Sequence, residues 1–396
     1  MRAAMAALIC ALSLCAHAEA AEPSPCAVLE RNIAQVPPGP VFLASYPTAT
    51  IGALHGAAFL YDNAVAAIAL VGCGDAQDAD RIGEAMLAAL DHDRYWHDGR
   101  LRNAYQPGSA MDKPIKLSGW WDDAQNRWVE DPYQVGSDTG NMAWAMLALL
   151  TLARDGQGDK YRDGAVRIAR WVDTNFDARA PQGFMGGAFG DQPAPQINRW
   201  KATEHNADLA AALAALAGAT HDAHWLARAD RASSFVSAMW DSKCRCFAAG
   251  TTEDGSTRNT ALALDAQIWP LLAIAGAAAK YRNAVSTVLR RMSVKGGLAY
   301  GSARGGVWTE GTEQAALLMK LMGRSPQKLF AAAERNRTPD GSYFATDVQS
   351  MSTGFDLDTD PSQRRAYFHL PHLAALAWAA LAEQGFNPFT GTKALP

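Results

Sequence analysis

Apolar and polar residues alternate along most of the chain with the spacing of helices, in segments of roughly 12 to 20 residues. Alanine and leucine dominate these segments, and loops rich in glycine, proline and aspartate separate them. The alternating β-branched pattern of strands is rare. The pattern therefore predicts an all-α fold without a substantial sheet.

Six of the predicted helices open with a polar cluster and continue with small or apolar residues. The six openings are Tyr61-Asp62-Asn63 before AVAAIALV, Ser137-Asp138-Thr139-Gly140-Asn141 before MAWAMLALL, Thr203-Glu204-His205-Asn206 before ADLAAALAAL, Leu264-Asp265-Ala266-Gln267 before IWPLLAIAGAAA, Trp308-Thr309-Glu310-Gly311-Thr312-Glu313 before QAALLMKLM, and His369-Leu370-Pro371-His372 before LAALAWAALAE. Between them lie ordinary amphipathic helices, such as DADRIGEAMLAALDH and AHWLARADRASSFVSAMW, with basic residues on one face.

This alternation of buried and half-exposed helices predicts an (α/α)6 barrel, a toroid of helical hairpins. The inner helices touch neighbours on all sides, so their bodies must be apolar and slim. Their N-terminal ends converge at one mouth, which would gather polar residues that are far apart in sequence. A toroid also explains how residues 21–396 can form a single domain beyond the usual size of one core.

The first twenty residues have the pattern of a secretory signal. Arg2 precedes an apolar run over residues 3–15, and small residues follow at the expected cleavage region. We therefore expect residues 1–20 to be removed and the protein to be periplasmic or secreted. No later stretch is apolar for long enough to span a membrane.

Removal of this segment leaves an even number of cysteines, which favours disulfides in an exported protein. Cys26 and Cys73 are the predicted first pair. Cys244 and Cys246 either close a small ring or stay reduced. A zinc site is disfavoured, because no pair of partners has ligand spacing.

The net charge of −4 offers no basic field for nucleic acid or an anionic membrane. Twelve tryptophans and ten tyrosines are many for a helical protein; their flat faces suit sugar rings, but they also fill cores. The chain contains no phosphate-binding or dinucleotide motif. We expect no cofactor and no nucleic-acid partner.

Two of the polar clusters contain glutamates suited to proton transfer. Glu204 and Asp208 lie one turn apart on the same helix face. Glu310 lies beside Trp308, and a carboxyl group near an indole in a cleft tends to be desolvated, which raises its pKa and makes it a proton donor. The alternative for both clusters is helix capping, in which acidic residues interact with the positive end of the helix.

The segment over residues 120–144 is the densest in aromatic and acidic residues. It suits carbohydrate recognition by stacking and hydrogen bonding, although a long loop held by its own tryptophans is the alternative. The candidate substrate-binding residues of the whole chain are Tyr61, Asp62, Trp121, Asp122, Asp123, Asn141, Trp144, His205, Asn206, Asp265, Trp308, His369 and His372. The stretch DLDTDPSQ starts like a calcium loop but lacks its glycine and closing glutamate, so no metal is predicted.

The motifs YDNAVAAIAL, GSDTGNMAWAMLALL, KATEHNADLAAAL, ALALDAQIW, WTEGTEQAALL and HLAALAWAALAEQGFNPF resemble bacterial proteins of the six-hairpin glycosidase-like superfamily. The resemblance extends over roughly residues 45–389. It implies an (α/α)6 toroid that acts on polysaccharide with acid and base carboxylates at the mouth of the barrel.

Together these patterns predict an exported, monomeric glycoside hydrolase with a carbohydrate substrate. Glu204 is the expected acid, Asp138 the expected base, and Glu310 the substitute for either. Tyr61, Trp121, Trp144 and Trp308 are the expected sugar platforms. Two alternatives stay open: a polysaccharide lyase or sugar epimerase with histidine bases, and a carbohydrate-binding protein without turnover.

Overall fold

The structure is a computed structural model that describes residues 22–50, 52–357 and 360–394. Thirteen α-helices form within these residues, together with a short 3-10 helix at Gly52–Leu54. The helices are α1 (Pro25–Ala34), α2 (Leu60–Cys73), α3 (Ala76–His92), α4 (Thr139–Arg154), α5 (Asp159–Asp173), α6 (Thr203–Thr220), α7 (Ala223–Ala238), α8 (Asp265–Ala273), α9 (Ala277–Lys280), α10 (Asn283–Arg291), α11 (Thr309–Leu321), α12 (Gln327–Glu334) and α13 (Leu373–Gln384).

Six helices form a closed inner ring. In order around the ring they are α2, α4, α6, α8, α11 and α13, and each packs on the next, with α13 packing back on α2. The remaining helices α1, α3, α5, α7, α9 with α10, and α12 surround them. The prediction of an (α/α)6 toroid is confirmed, and all six inner helices are those that the polar openings predicted. Helix α1, which the hydrophobic pattern did not reveal, completes the outer layer.

Composition explains which layer each helix occupies. Helix α13 is buried at every position from Leu373 to Ala382, and six of these ten residues are alanines. Small side chains let neighbouring helices approach closely on all sides. The outer helix α5 instead buries one stripe, which includes Tyr161, Ala165 and Ile168, and exposes its charged face.

Short antiparallel strands connect the helices. They are β1 (Val41–Phe42), β2 (Ala58–Phe59), β3 (Ala104–Tyr105), β4 (Gly108–Ser109), β5 (Trp120–Asp122), β6 (Arg127–Val129), β7 (Ser137–Asp138), β8 (Phe176–Asp177), β9 (Gly183–Phe184), β10 (Gly187–Phe189), β11 (Gln196–Asn198), β12 (Trp240–Asp241), β13 (Cys246–Phe247), β14 (Gly250–Thr251), β15 (Arg258–Asn259), β16 (Ser293–Val294), β17 (Gly297–Leu298), β18 (Ser350–Leu357) and β19 (Asp360–Phe368). Strands β11, β10 and β7 form a three-stranded sheet, and the others pair as β1–β4, β2–β3, β5–β6, β8–β9, β12–β13, β14–β15, β16–β17 and β18–β19.

The hairpin β18–β19 is the exception to this pattern, because its strands have eight and nine residues. The sequence pattern did not predict it, since β18 contains Ser, Met, Gly and Asp rather than a run of β-branched residues. The stretch that resembled the start of a calcium loop falls on this hairpin. Its central residue Asp358 lies outside the described residues, as does the predicted signal at residues 1–20.

Both cysteine pairs form disulfides. Cys26 in α1 is bonded to Cys73 at the end of α2, as predicted, and Cys244 is bonded to Cys246, which settles the open alternative in favour of the small ring. No helix in the described part of the chain combines the length and hydropathy that a membrane crossing requires.

We expect the double variant Cys26→Ala, Cys73→Ala to lose about 2–4 kcal/mol of stability, because this bond closes a long loop in the unfolded chain. The bond spans 47 residues and ties the first outer helix to the inner ring. Denaturant unfolding measures the loss. The matched control, Cys244→Ala with Cys246→Ala, opens a bond between residues separated by 2 positions and should change the unfolding midpoint much less. Equal losses in both double variants would contradict this explanation.

Candidate functional site

A cavity of about 920 Å³ lies where the N-terminal ends of the six inner helices meet. Every inner helix contributes to its wall from its first turns or the residue before it. These residues are Tyr61 and Asp62 of α2, Gly140, Asn141 and Trp144 of α4, Glu204, His205 and Asp208 of α6, Asp265 and Trp269 of α8, Trp308 and Glu310 at the start of α11, and His372 before α13. The sequence-distant polar openings are therefore neighbours in space.

Capping does not explain the polar openings. None of the six inner helices has an N-cap side chain bonded to its first turn, and five of the six N-cap residues are Phe59, Ala202, Leu264, Trp308 and His372. Three outer helices, in contrast, are capped by Ser24, Asp75 and Asp222. The inner openings must therefore serve another purpose.

In three of the openings, one side chain holds a neighbouring loop. The Asn206 side chain accepts a hydrogen bond from the Phe184 amide at 2.9 Å and donates to the carbonyl oxygen of the same residue at 3.1 Å. Asn63 makes the same two-way contact with Leu43, and Gln267 makes it with Phe247. We call these three side chains the peptide clamps. They fix the loops that surround the mouth.

Other side chains of the openings face the cavity. Among them, Glu310 accepts two hydrogen bonds on the same oxygen atom. The Tyr61 hydroxyl donates a hydrogen bond to Glu310 Oε1 and itself accepts one from Trp378 Nε1 at 2.8 Å. Gln314 Nε2 also donates to Oε1, at 3.1 Å. Burial raises the pKa of Glu310 to about 7, although nearby His372 and the Tyr61 hydrogen bond oppose the rise. Glu310 therefore titrates near neutral pH.

His372 and Asp62 form a buried pair beside Glu310. His372 Nε2 lies 3.2 Å from Asp62 Oδ2, and His372 Nδ1 lies 3.9 Å from Glu310 Oε2. Tyr46 stacks on the imidazole with ring centroids 4.5 Å apart. Burial alone would lower the pKa of His372, but the charges of Asp62 and Glu310 outweigh it and raise the pKa. The imidazole can thus carry a positive charge between two carboxylates.

Three carboxyl groups form a second cluster on the α6 and α8 side. Burial, followed by the charge of Asp265, raises the pKa of Glu204 well above its usual value. Burial and the charge of Glu204 do the same for Asp208. Burial raises the pKa of Asp265 to about 6, although hydrogen bonds from the Ala266 amide and Tyr300 oppose the rise. All three carboxyl groups therefore hold their protons more tightly than exposed carboxyl groups do.

His205 lies in the same wall as an uncharged imidazole. Burial, and then the positive charge of Arg365, lower its pKa to about 3. Its ring lies against Gly140 of α4, where a Cβ atom would come within 2.4 Å of His205 Cδ2. Glycine is therefore required at this crossing.

Buried polar atoms without a hydrogen bond concentrate at this cavity. Of the sixteen such side-chain atoms among the described residues, eleven belong to residues that line it. They include Glu204 Oε2, Glu310 Oε2 and Trp308 Nε1. Because an unpaired buried polar group destabilises the fold by about 1–3 kcal/mol, this concentration marks a site that accepts polar molecules.

An aromatic floor closes the cavity toward the barrel axis. Trp144 packs edge-on against Trp269 and Trp378, with ring centroids 5.3 and 5.8 Å away, and against Phe389 at 4.9 Å. Trp144 is only 1% exposed, so the floor is tightly packed. Apolar ring faces beneath several carboxyl groups suit a ligand with one apolar and one hydroxylated side.

Several residues expected at the site lie elsewhere, and these expectations are corrected. Asp138, the expected base, does not line the cavity: it precedes α4 in strand β7, and its amide bonds Asn103 Oδ1 at 2.7 Å. Asn206 is a peptide clamp. Trp121, Asp122 and Asp123 belong to the surface hairpin β5–β6, where Trp121 is 55% exposed.

The remaining expected residues do line the cavity, with differences in role. His369 is at its edge, where its ring stacks on Phe344 with centroids 3.9 Å apart and its Nδ1 lies 2.6 Å from the Thr346 carbonyl oxygen. Sequence reasoning missed Tyr46, Trp269, Tyr300 and Tyr367, which come from loops or helix bodies without a local signal. Within the described residues, no group of three or more histidine, cysteine or acidic side chains is arranged to hold a metal ion.

The raised pKa values of the carboxyl groups in the cavity predict that stability falls as the pH rises from about 4 through about 7. A carboxyl group whose pKa is raised by folding binds more protons in the folded state than in the unfolded state. The raised pKa values of Glu204, Asp208, Asp265 and Glu310 therefore stabilise the fold at low pH, and this stabilisation is lost as the pH passes through them. Thermal unfolding across this range measures the slope. Asp208→Asn should flatten it; an unchanged slope would contradict the assignment.

Similarity to solved structures agrees with this architecture. A glycosidase in complex with glucose is 16% identical, with a TM-score of 0.60 over 91% of this chain and 95% of that chain. The GH76 α-mannanase of Bacteroides thetaiotaomicron is 12% identical, with a TM-score of 0.57 over 91% and 93%. Cellobiose 2-epimerase from Bacillus thermoamylovorans is 9% identical, with a TM-score of 0.59 over 90% and 95%.

No protein-family model and no curated protein matches the sequence. The structural likeness covers nearly the whole chain and shows that these proteins share its fold, the (α/α)6 toroid. At these identities it shows the fold alone, so the chemistry must be argued from the cavity itself.

Proposed function

We propose that this protein is a glycoside hydrolase that cleaves a poly- or oligosaccharide in the cavity at the barrel mouth. The observation that carries the proposal is the pair Glu204 and Glu310. They are glutamates on different inner helices that line the cavity, Glu310 buried and Glu204 half-buried, and both have raised pKa values and an Oε2 atom without a hydrogen bond. Hydrolysis of a glycosidic bond needs two such carboxyl groups.

The surroundings assign the roles. Burial and the charge of Asp265 raise the pKa of Glu204 well above its usual value, which favours its protonated form, so it is the general acid that donates a proton to the leaving oxygen. Glu310 receives hydrogen bonds on Oε1 from Tyr61 and Gln314, which favour its ionised form, so it is the base that activates water through Oε2. In this assignment Glu310 takes the place that the sequence had suggested for Asp138.

The carbohydrate substrate is supported by the floor of the cavity and by the similar structures. Trp144, Trp269 and Trp308 offer aromatic surfaces beside carboxyl groups that can bond sugar hydroxyls. The solved neighbours include a glycosidase that binds glucose and an α-mannanase. We propose a neutral sugar, since the carboxyl groups at the site outnumber its cationic groups.

Export and monomeric action are part of the proposal. The signal-like pattern of residues 1–20 supports export, and two disulfides suit an oxidising compartment. Expression of the full chain in a bacterial host, followed by fractionation and N-terminal sequencing, tests export. A full-length, reduced cytoplasmic product would contradict it. Size-exclusion chromatography with light scattering tests whether the mature chain is a monomer.

A sugar epimerase is the second candidate, and His205 favours it. Its half-buried imidazole lines the cavity, and its Nδ1 atom has no hydrogen-bond partner and can accept a proton from a sugar carbon. One similar structure is a cellobiose 2-epimerase. This mechanism requires no water and leaves the glycosidic bond intact.

Product analysis on α-mannan, starch and cello-oligosaccharides separates the candidates. We expect new reducing ends and a shorter chain from at least one substrate. Incorporation of deuterium from heavy water at a sugar carbon, without shortening, would identify the epimerase. An unsaturated product that absorbs in the ultraviolet would identify a lyase. Binding without any product would favour a non-catalytic protein.

Tyr61→Phe is expected to move the acidic limb of the pH profile of kcat/KM to higher pH. The variant removes a hydrogen bond that stabilises ionised Glu310, so the pKa of the base rises above about 7 and a larger fraction is protonated at neutral pH. Activity should recover as the pH is raised. Tyr281→Phe, which removes a hydroxyl bonded to Ser237 away from the cavity, is the control and should leave the limb in place.

A further inference from the structure

The hairpin β18–β19 shapes the entrance of the cavity. It lies between α12 and α13 along the chain, and both of its strands contribute to the cavity wall. The lining residues from the hairpin are Thr353, Leu357, Gln363, Arg364, Arg365, Ala366, Tyr367 and Phe368. No other strand pair within the described residues contributes a comparable stretch of wall.

The base of this hairpin is fixed to the barrel. Met351 is buried, and the ring of Tyr367 lies 5.3 Å from Trp308 and 6.0 Å from Tyr300, measured between centroids. Thr353 Oγ1 donates a hydrogen bond to the Arg365 carbonyl oxygen across the strands at 3.0 Å. These contacts place the hairpin over the α8 and α11 side of the mouth.

From this base the hairpin reaches the other side of the ring. The guanidinium carbon of Arg365 lies 5.4 Å from the ring centroid of Tyr133, which precedes α4. Its charge also acts on Glu204 and His205 at the start of α6. In the order of the inner ring, α4 is the helix opposite α11. The hairpin therefore crosses the mouth as a strap.

Within the described residues, the barrel floor and a rim loop form the other boundaries of the cavity. The aromatic floor of Trp144, Trp269 and Phe389 is buried and closes the barrel axis. Residues of the loop over 46–54 line the rim on the α2 side. An enzyme that cleaves inside a long polymer needs a groove open at both ends, because the chain must enter and leave.

We infer that the hairpin β18–β19 makes the cavity a blind pocket, so that the enzyme acts at one end of a sugar chain. This inference rests on the proposed hydrolase function and specifies its substrate as a chain end or a short oligosaccharide. A volume of about 920 Å³ is in the range of sites that enclose one small ligand.

Blocked substrates test the inference. Hexasaccharides of α-mannose, α-1,4-linked glucose and β-1,4-linked glucose are prepared in three forms: free, with a benzylidene group on the non-reducing end, and with a bulky fluorophore on the reducing end. Mass spectrometry follows the products of the mature enzyme. We expect the free form to be shortened stepwise and one blocked form to react at least 100-fold more slowly. Equal cleavage of all three forms would overturn the inference while leaving the hydrolase proposal intact.

Two variants connect the result to the hairpin. Replacing residues 354–364 with a short glycine-asparagine turn should let the enzyme cleave the blocked form and release internal fragments. Arg365→Ala, which keeps the hairpin and removes its contact with Tyr133, should accept the blocked form partly. The matched control shortens the hairpin β5–β6 at residues 123–126, away from the cavity, and should behave like the wild type. Circular dichroism and thermal unfolding verify that each variant is folded.

Binding provides a readout that does not require turnover. If no hexasaccharide is cleaved, the hydrolase proposal fails, and calorimetric titration with the same three forms still tests the pocket. A blind pocket binds the free form and only one blocked form. Equal affinity for all three forms overturns the inference.

Discussion

Glu204→Gln and Glu310→Gln are each expected to lower kcat/KM by about 10²–10⁴-fold, the range that a single acid or base supplies. Glutamine keeps the size of each side chain but cannot donate or accept the catalytic proton. Both side chains line the cavity and keep their volume in the glutamine variants, so the substitutions should leave the fold intact. Steady-state kinetics on the best substrate of the panel measures the loss.

Two control variants show whether the loss is specific to the cavity. Glu313→Gln makes the same change at a buried glutamate of α11 that also has a raised pKa but does not line the cavity. Asp138→Asn changes the residue that the sequence had favoured as the base. We expect both to keep turnover within a few-fold of the wild type. A loss in Asp138→Asn as large as that in Glu310→Gln would return the base to Asp138.

Arg102→Met is expected to lower the free energy of unfolding by about 3–5 kcal/mol, the loss typical of a broken buried ion pair. Arg102 is fully buried and binds Asp93 through two hydrogen bonds of 2.7 and 2.9 Å, while its third bond reaches the Val135 carbonyl oxygen. Methionine leaves the Asp93 carboxylate buried without its cation. Chemical denaturation measures the loss.

The pH dependence gives this prediction a second test. Burial alone would raise the pKa of Asp93, but the hydrogen bonds and charge of Arg102 lower it below the usual value of 3.8. The pair therefore stabilises the fold above that value, and the stabilisation is lost as the pH falls through the lowered pKa. Arg100→Met is the matched control, because its partner Asp98 is largely exposed and such pairs contribute at most about 1 kcal/mol. Similar losses in the two variants would contradict the role of burial.

The inner ring could be predicted from the sequence because a helix that is buried on all sides has small or apolar residues around its whole circumference. A helix such as α13, with alanine, leucine and tryptophan around its whole circumference, cannot face water. Six such helices in alternation with amphipathic ones are sufficient for the toroid. Helix α1 escaped notice because its ten residues, PCAVLERNIA, follow directly on the signal-like segment.

The different roles of neighbouring residues within a polar opening were harder to predict. His205 and Asn206 are adjacent, yet one lines the cavity and the other clamps Phe184. Neighbouring residues on a helix point about 100° apart, so they face different partners. The sequence shows that the faces differ, but only packing decides which face turns to the cavity.

Proximity along the chain misled the prediction at residues 120–144. Trp121 and Asp138 lie close in sequence to the cavity residue Asn141, but Trp121 is in a surface hairpin and Asp138 precedes the helix. The strap hairpin escaped prediction for a related reason. Its role depends on Arg365 reaching Tyr133 across the mouth, and no local pattern records a contact between such distant residues.

Closure of the ring by α13 against α2 has a consequence for biosynthesis. The last inner helix to be made covers the flank of the first, and α1 packs against both. Until residue 384 has left the ribosome, the apolar flanks of α2 and α11 have no partner, and a nascent chain would present them to chaperones or to other chains. The barrel therefore cannot close before its last inner helix has been synthesised. Truncation within α13 should yield insoluble protein instead of a smaller barrel.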